Sequence, residues 1–104
     1  MSPTASELHR RIAEQDLPGN RRTIDLHLNA DGSLRLEGGD VGSQVEEVWG
    51  DSDYEFWVDI PASAVGRLAF ALLAERLDGD PGAVDALAAF CQQHAVPCEG
   101  GTWV

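Results

Sequence analysis

Histidine and carboxylate side chains are the groups in this chain best suited to acid–base or metal chemistry. The three histidines, which are widely spaced and have no second ligand at metal-binding spacing, are His9, His27 and His94. His27 stands out because Asp25 shares its predicted strand face, and Glu55 or Asp59 is expected across the sheet. One hypothesis is therefore a small enzyme or metal protein using His27 and sheet carboxylates. The alternative is a solvated sheet face of mixed charge.

Other patterns with chemical potential are incomplete. Residues 29–33 resemble the start of a calcium loop but lack its glutamate, which favours a plain hairpin turn. Cys91 and Cys98 match no zinc or redox spacing and are interpreted as reduced thiols. Glycines 38, 39 and 42 have acidic neighbours instead of a basic residue to meet phosphate. The sequence thus predicts no catalytic residue, no metal and no cofactor, and a protein that is not an enzyme.

Negative charge is the strongest compositional signal, and it is unevenly distributed. The net charge is −11, yet residues 1–35 are neutral and no basic residue lies between Arg35 and Arg67. The acids of that interval are Glu37, Asp40, Glu46, Glu47, Asp51, Asp53, Glu55 and Asp59. Such a field repels nucleic acid and anionic membranes and attracts basic proteins. A basic protein partner is predicted, with general solubility as the alternative explanation.

Large aromatic residues are interleaved with these acids. Alternation along residues 53–60 points Trp57 away from Tyr54 and Phe56. An exposed tryptophan within an acidic rim is typical of a binding anchor, unless the N-terminal arm or the C-terminal segment covers it. The predicted partner-binding residues are Trp49, Asp51, Asp53, Glu55, Trp57, Asp59, Glu46 and Glu47.

The N-terminal residues favour a short helix. Thr4 and Glu7 have the spacing of a capping box, Leu8 and Ile12 lie four apart, and residues 17–19 (Leu-Pro-Gly) would end the helix. Residues 1–21 are therefore interpreted as a helical arm or flexible segment, and residues 22–104 as a single α+β domain.

Periodicity assigns the remaining elements. Alternating residues predict a β-hairpin over residues 22–37 and a strand over 53–60, with a short helix at 40–48 between them. Helical periodicity predicts two helices between residues 61 and 96, followed by a short β-like segment at 98–104. The expected fold is an α+β two-layer sandwich, a small antiparallel sheet with helices packed on one face, in the order (α)-β-β-(α)-β-α-α-β.

Composition and a resemblance complete the functional prediction. The chain is 43% hydrophobic, which is typical of a folded domain, and no apolar run or leader pattern directs it to a membrane, so a cytoplasmic protein is expected. Residues 45–57, VEEVWGDSDYEFW, resemble a motif of small acidic bacterial proteins similar to the immunity proteins of polymorphic-toxin systems. That resemblance implies a non-enzymatic protein that neutralises a basic toxin by occluding its active site. A homodimeric structural or regulatory domain, joined through an exposed sheet face, is the alternative.

Overall fold

The computed structural model describes residues 6–42 and 53–102 and contains four strands and two helices in these ranges. The strands are β1 (Ser6–Leu17), β2 (Asn20–Asn29), β3 (Leu34–Val41) and β4 (Asp53–Ile60). The helices are α1 (Ala62–Leu77) and α2 (Ala83–Gln93). All strand pairs are antiparallel, in the spatial order β1-β2-β3-β4. The predicted α+β class with an antiparallel sheet is confirmed.

The hairpin between β2 and β3 has the turn chemistry that the sequence predicts. Gly32 has a φ of +88°, in the left-handed region that glycine adopts at little cost. The Gly32 amide donates to the Asn29 carbonyl at 2.9 Å, and the Ser33 amide donates to the Asp31 carboxylate at 2.9 Å. These local bonds close the turn and set the β2–β3 register.

Strand β1 replaces the N-terminal helix that the sequence predicts. Pro18 and Gly19 form a turn, with Gly19 at φ +76°, so β1 folds back along β2 from Ser6 to Leu17. The expected helix has only Leu8 and Ile12 to bury, which is too thin an apolar face to hold a short helix. Pairing along the whole of β2 satisfies far more backbone groups, so residues 6–21 belong to the sheet and the helical-arm prediction is wrong.

The two faces of the sheet differ in polarity because residues that pair across strands project to the same side. The apolar face carries cross-strand rows such as Leu26–Leu36–Val58 and Leu28–Leu34–Ile60. The polar face carries His9–His27–Arg35–Asp59 and Arg11–Asp25–Glu37–Trp57. The predicted separation of Trp57 from Tyr54 and Phe56 is thus present.

The chain forms two compact units, Met1–Leu68 and Ala69–Val104. The first contains the sheet and the start of α1, and the second contains the rest of α1 and α2. In the second unit, helix α2 begins after Gly82, whose amide donates to the Asp80 carboxylate, and Cys91 is buried on it as expected. Burial raises the pKa of the Cys91 thiol.

Two smaller sequence predictions concern segments that the structure describes only in part. Residues 40 and 41 continue strand β3, and the rest of the helix predicted at 40–48 lies beyond the described residues from position 43 onward. Residues 98–102 have no strand, and the remainder of the predicted C-terminal strand lies outside the described range. The apolar residues there are too few to enforce a strand by themselves.

Neither described helix is long and apolar enough to cross a membrane.

An ion pair between the exposed Arg22 and the buried Asp40 fixes the end of β3 against β2. Asp40 is 7% exposed, and both of its carboxylate oxygens accept hydrogen bonds from the Arg22 guanidinium at 2.6 Å. The same guanidinium lies 5.0 Å above the centre of the Phe56 ring. Hydrogen bonding to Arg22 holds the pKa of Asp40 below its ordinary 3.8, because the bonded carboxylate is favoured over the neutral acid.

The ion pair makes the free energy of unfolding depend on pH in the acidic range. We expect Asp40→Asn to destabilise the fold by about 1–2 kcal/mol at pH 7, since Arg22 is half-exposed and water partly replaces the lost bond. Because the folded-state pKa is depressed, the stabilisation is present above 3.8 and is lost as the pH falls through the lower folded-state value. Urea unfolding of both proteins at pH 7 and near pH 3 measures this. A difference of equal size at both pH values would contradict the prediction.

Candidate protein-binding face

Trp57 is the largest apolar group on the polar face of the sheet. It lies on β4, pairs with Glu37 of β3, and is 55% exposed. The Arg35 guanidinium lies 5.0 Å from the centre of its ring, in cation–π contact. This contact restricts the ring while much of its surface stays in solvent. The described part of the N-terminal arm forms β1 at the opposite edge of the sheet and does not cover Trp57.

The two acids that flank Trp57 on β4 have different environments. Asp59 is in a bidentate ion pair with Arg35, at 2.8 and 3.2 Å, and this hydrogen bonding raises the pKa of Arg35. Glu55 makes no ion pair within the described residues, although its charge also acts on the nearby Arg35. Asp59 is thus the more strongly compensated of the two acids.

A shallow concavity of about 340 Å³ lies beside Trp57 on the polar face. Its floor includes Gly39, where an added Cβ would have no neighbour closer than 3.9 Å. Its rim includes the carboxylates of Asp25, Glu37 and Glu55 together with Thr23, Arg35 and Trp57. The absence of a side chain at Gly39 therefore opens a space between acids that suits a basic side chain.

The histidines form a stacked pair at the other end of the polar face. The His9 and His27 ring centres are 4.7 Å apart with an interplanar angle of 17°. His9 Nε2 lies 2.8 Å from Asp25 Oδ1, and His27 Nε2 lies 2.7 Å from Glu37 Oε1. Each imidazole is therefore oriented by a carboxylate, with Glu37 bonded to His27, and Asp59 lies across the sheet from His27 in the same row, beyond Arg35.

Asp25 is further held by Arg11. The Arg11 Nε donates to Asp25 Oδ1 at 2.7 Å, and this bond, followed by the one to His9, lowers the pKa of Asp25. Among residues 6–42 and 53–102, no group of three or more His, Cys, Asp or Glu side chains is arranged to hold a metal ion. The cluster is a network of paired charges, as the mixed-charge interpretation of this face expects.

Only part of the predicted binding surface falls within the described residues. Glu55, Trp57 and Asp59 lie together on β4, and Asp53 begins that strand. Trp49, Asp51, Glu46 and Glu47 lie outside the described residues. Sequence reasoning did not place Arg35, Glu37 and Gly39 in the site, because their approach to β4 depends on the β3–β4 register.

Comparison with protein-family models, curated proteins and solved structures found no significant match.

Proposed function

We propose that this chain is a non-enzymatic binding domain for a basic protein, and that the polar face around Trp57 is its docking surface. The observation that carries the proposal is the half-exposed Trp57 beside Glu55, an acid that makes no ion pair within the described residues. Tryptophan is strongly enriched among residues that dominate binding energy, because it removes much apolar surface from water on contact.

Charge complementarity supports the choice of a basic partner. Every acid of the segment between Arg35 and Arg67 adds to a net charge of −11, with no basic residue among them. A field of this sign accelerates encounter with cationic proteins and disfavours nucleic acid. The concavity over Gly39 presents Glu55 to an arginine or lysine from the partner, whereas its other carboxylates, Asp25 and Glu37, already pair within the chain.

Binding tests should distinguish the contribution of Trp57 to affinity from that of the net charge. We expect Trp57→Ala to weaken binding of the basic partner about 30-fold and Glu55→Lys about tenfold, the latter through slower association. The full chain, immobilised at about 0.05 M NaCl, should retain the partner and release it near 0.5 M NaCl. Surface plasmon resonance at these two salt concentrations gives affinity and rates.

Matched variants control for bulk effects. Glu75→Lys makes the same charge change at an exposed acid of α1, and Phe70→Ala removes an aromatic ring that is 75% exposed. Both should bind like the unmodified chain. If Glu75→Lys weakens binding as much as Glu55→Lys, the interaction follows net charge and the proposed surface is wrong.

A basic toxin is the specific partner that we propose first. The resemblance of residues 45–57 to immunity proteins supports it, together with the acidic field. On this proposal a toxin-domain protein is encoded beside this gene, and the test is co-expression of the two. Cells should survive with the unmodified chain and lose protection with Trp57→Ala, whereas Phe70→Ala should protect. Protection by Trp57→Ala equal to that of the unmodified chain would exclude occlusion by this face.

A further inference from the structure

The edge of the sheet formed by β1 is long and exposed. Within the described residues β1 pairs only with β2, so its other edge presents backbone donors and acceptors along the whole strand. Every residue from Glu7 to Leu17 is exposed, including Leu8 at 65%, Ile12 at 52% and Leu17 at 49%. A long exposed edge with apolar side chains is a surface that a second strand can extend.

A bulge at Ile12 divides β1 into two halves. Arg11 pairs with Asp25 and Ala13 with Ile24, so Ile12 is the extra residue and the alternation of faces shifts by one position there. On the apolar face lie Leu8, Arg10, Ala13, Gln15 and Leu17; on the polar face lie His9, Arg11, Glu14 and Asp16.

We propose that β1 is a homodimer interface in which two copies pair antiparallel about a two-fold axis between Ile12 and Ala13. Such an axis stands perpendicular to the sheet, so side chains of one face must meet side chains of the same face. In a regular strand, an axis between two residues would place each side chain opposite a side chain of the other face, so the rule could not be satisfied. The bulge shifts the alternation and makes this register possible.

The register brings complementary residues together on both faces. On the apolar side Leu8 lies opposite Leu17 and Arg10 opposite Gln15 of the second copy. On the polar side Arg11 lies opposite Glu14 and His9 opposite Asp16. The Arg11 and Glu14 side chains already approach to 3.4 Å within one chain, which shows that they share a face across the bulge.

Charge selects β1 over the opposite edge of the sheet. Strand β4 carries Asp53, Glu55 and Asp59 with no basic residue. When two copies of β4 pair antiparallel along their full length, Asp53 or Glu55 of one copy lies opposite Asp59 of the other. Like charges directly opposite each other are destabilising. Strand β1 instead has both signs of charge, in an order that is complementary to itself. The dimer thus joins two sheets at β1 and leaves Trp57 of each copy free for a partner.

Disulfide trapping tests the register directly. Positions 8 and 17 are about 30 Å apart along one strand, so a bond between them must join two copies. We expect the double variant Leu8→Cys with Leu17→Cys, carrying Cys98→Ser, to form a covalent dimer under mild oxidation. Each single cysteine variant in the same background should stay monomeric on non-reducing gels. Covalent dimers from either single variant in equal yield would overturn the register.

Analytical ultracentrifugation tests the dimer itself. The unmodified full chain should sediment at twice its 11.2 kDa mass. Ile12→Asp places two like charges beside the axis and should raise the dimer dissociation constant at least about tenfold, with an unchanged circular dichroism spectrum. Val84→Asp, which adds the same charge at an exposed position of α2, should remain dimeric. A monomeric unmodified chain at the highest soluble concentration would overturn the proposal and leave the binding function of Trp57 unaffected.

Discussion

Gly42→Ala is expected to destabilise the fold by about 2–4 kcal/mol. Gly42 follows strand β3 and has a φ of +148°, a conformation that side chains with a Cβ rarely adopt. An added Cβ would lie 2.9 Å from Asn20 Cα and closer still to the Gly19 carbonyl oxygen. Both neighbours are backbone atoms of the β1–β2 turn, so they cannot move aside by a change of rotamer. The turn and the end of β3 would have to separate.

The measurement is the free energy of unfolding from urea titration, at one fixed protein concentration because self-association shifts apparent stability. Gly66→Ala is the matched control. Gly66 lies within α1 and an added Cβ meets nothing within 4 Å, so this change should stabilise by about 0.5–1 kcal/mol. Equal effects of the same sign at the two glycines would show that the contact with the turn does not restrain Gly42.

The elements of the sheet differ in how far sequence could predict them. Strand β4 alternates apolar and polar residues along its length and β2 does so over residues 23–29, and the β2–β3 turn has an Asp-Gly pair, so local pattern and tertiary structure agree there. Strand β1 has no such alternation, since its bulge at Ile12 breaks the period and its apolar residues are few. Strand β1 is extended because it pairs with β2, and the residues of β1 alone do not indicate that pairing.

The candidate site was predictable in part for the same reason. The placement of Trp57 on the face opposite Tyr54 and Phe56 follows from alternation within β4 alone. The contact of Arg35 with Trp57 and Asp59 requires the β3–β4 register, and the connection between those strands, residues 42–52, is too long for its sequence to fix that register. The two histidines stack only because β1 is a strand. Predicting a helix there separated His9 from His27 and hid the pairing of His9 with Asp25.

A second glycine, Gly38, is expected to be intolerant of substitution for a different reason, which is packing. Gly38 lies opposite Phe56 and Ile24 on the apolar face of the sheet. An added Cβ would lie 2.8 Å from Ile24 Cδ1 and would overlap the outer carbons of the Phe56 ring. The aromatic ring therefore lies over the backbone of Gly38, and Arg22 stacks on it in turn. An alanine at position 38 displaces the ring and disturbs its contact with Arg22.

We expect Gly38→Ala to destabilise by about 1–3 kcal/mol, the usual cost of forcing side chains from a packed site. Gly39→Ala is a sharp control, because it changes the adjacent residue of the same strand on the opposite face, where the nearest atom is 3.9 Å away. That change should be neutral or slightly stabilising, since alanine loses less backbone entropy than glycine. Urea unfolding of both variants measures the difference.

If the two variants lose equal stability, backbone conformation and not the Phe56 contact determines the need for glycine in β3. If only Gly38→Ala is destabilised, the ring over Gly38 joins the part-buried Arg22–Asp40 pair in one packed unit that holds β2, β3 and β4 in register. The position of Trp57 on the opposite face depends on that register.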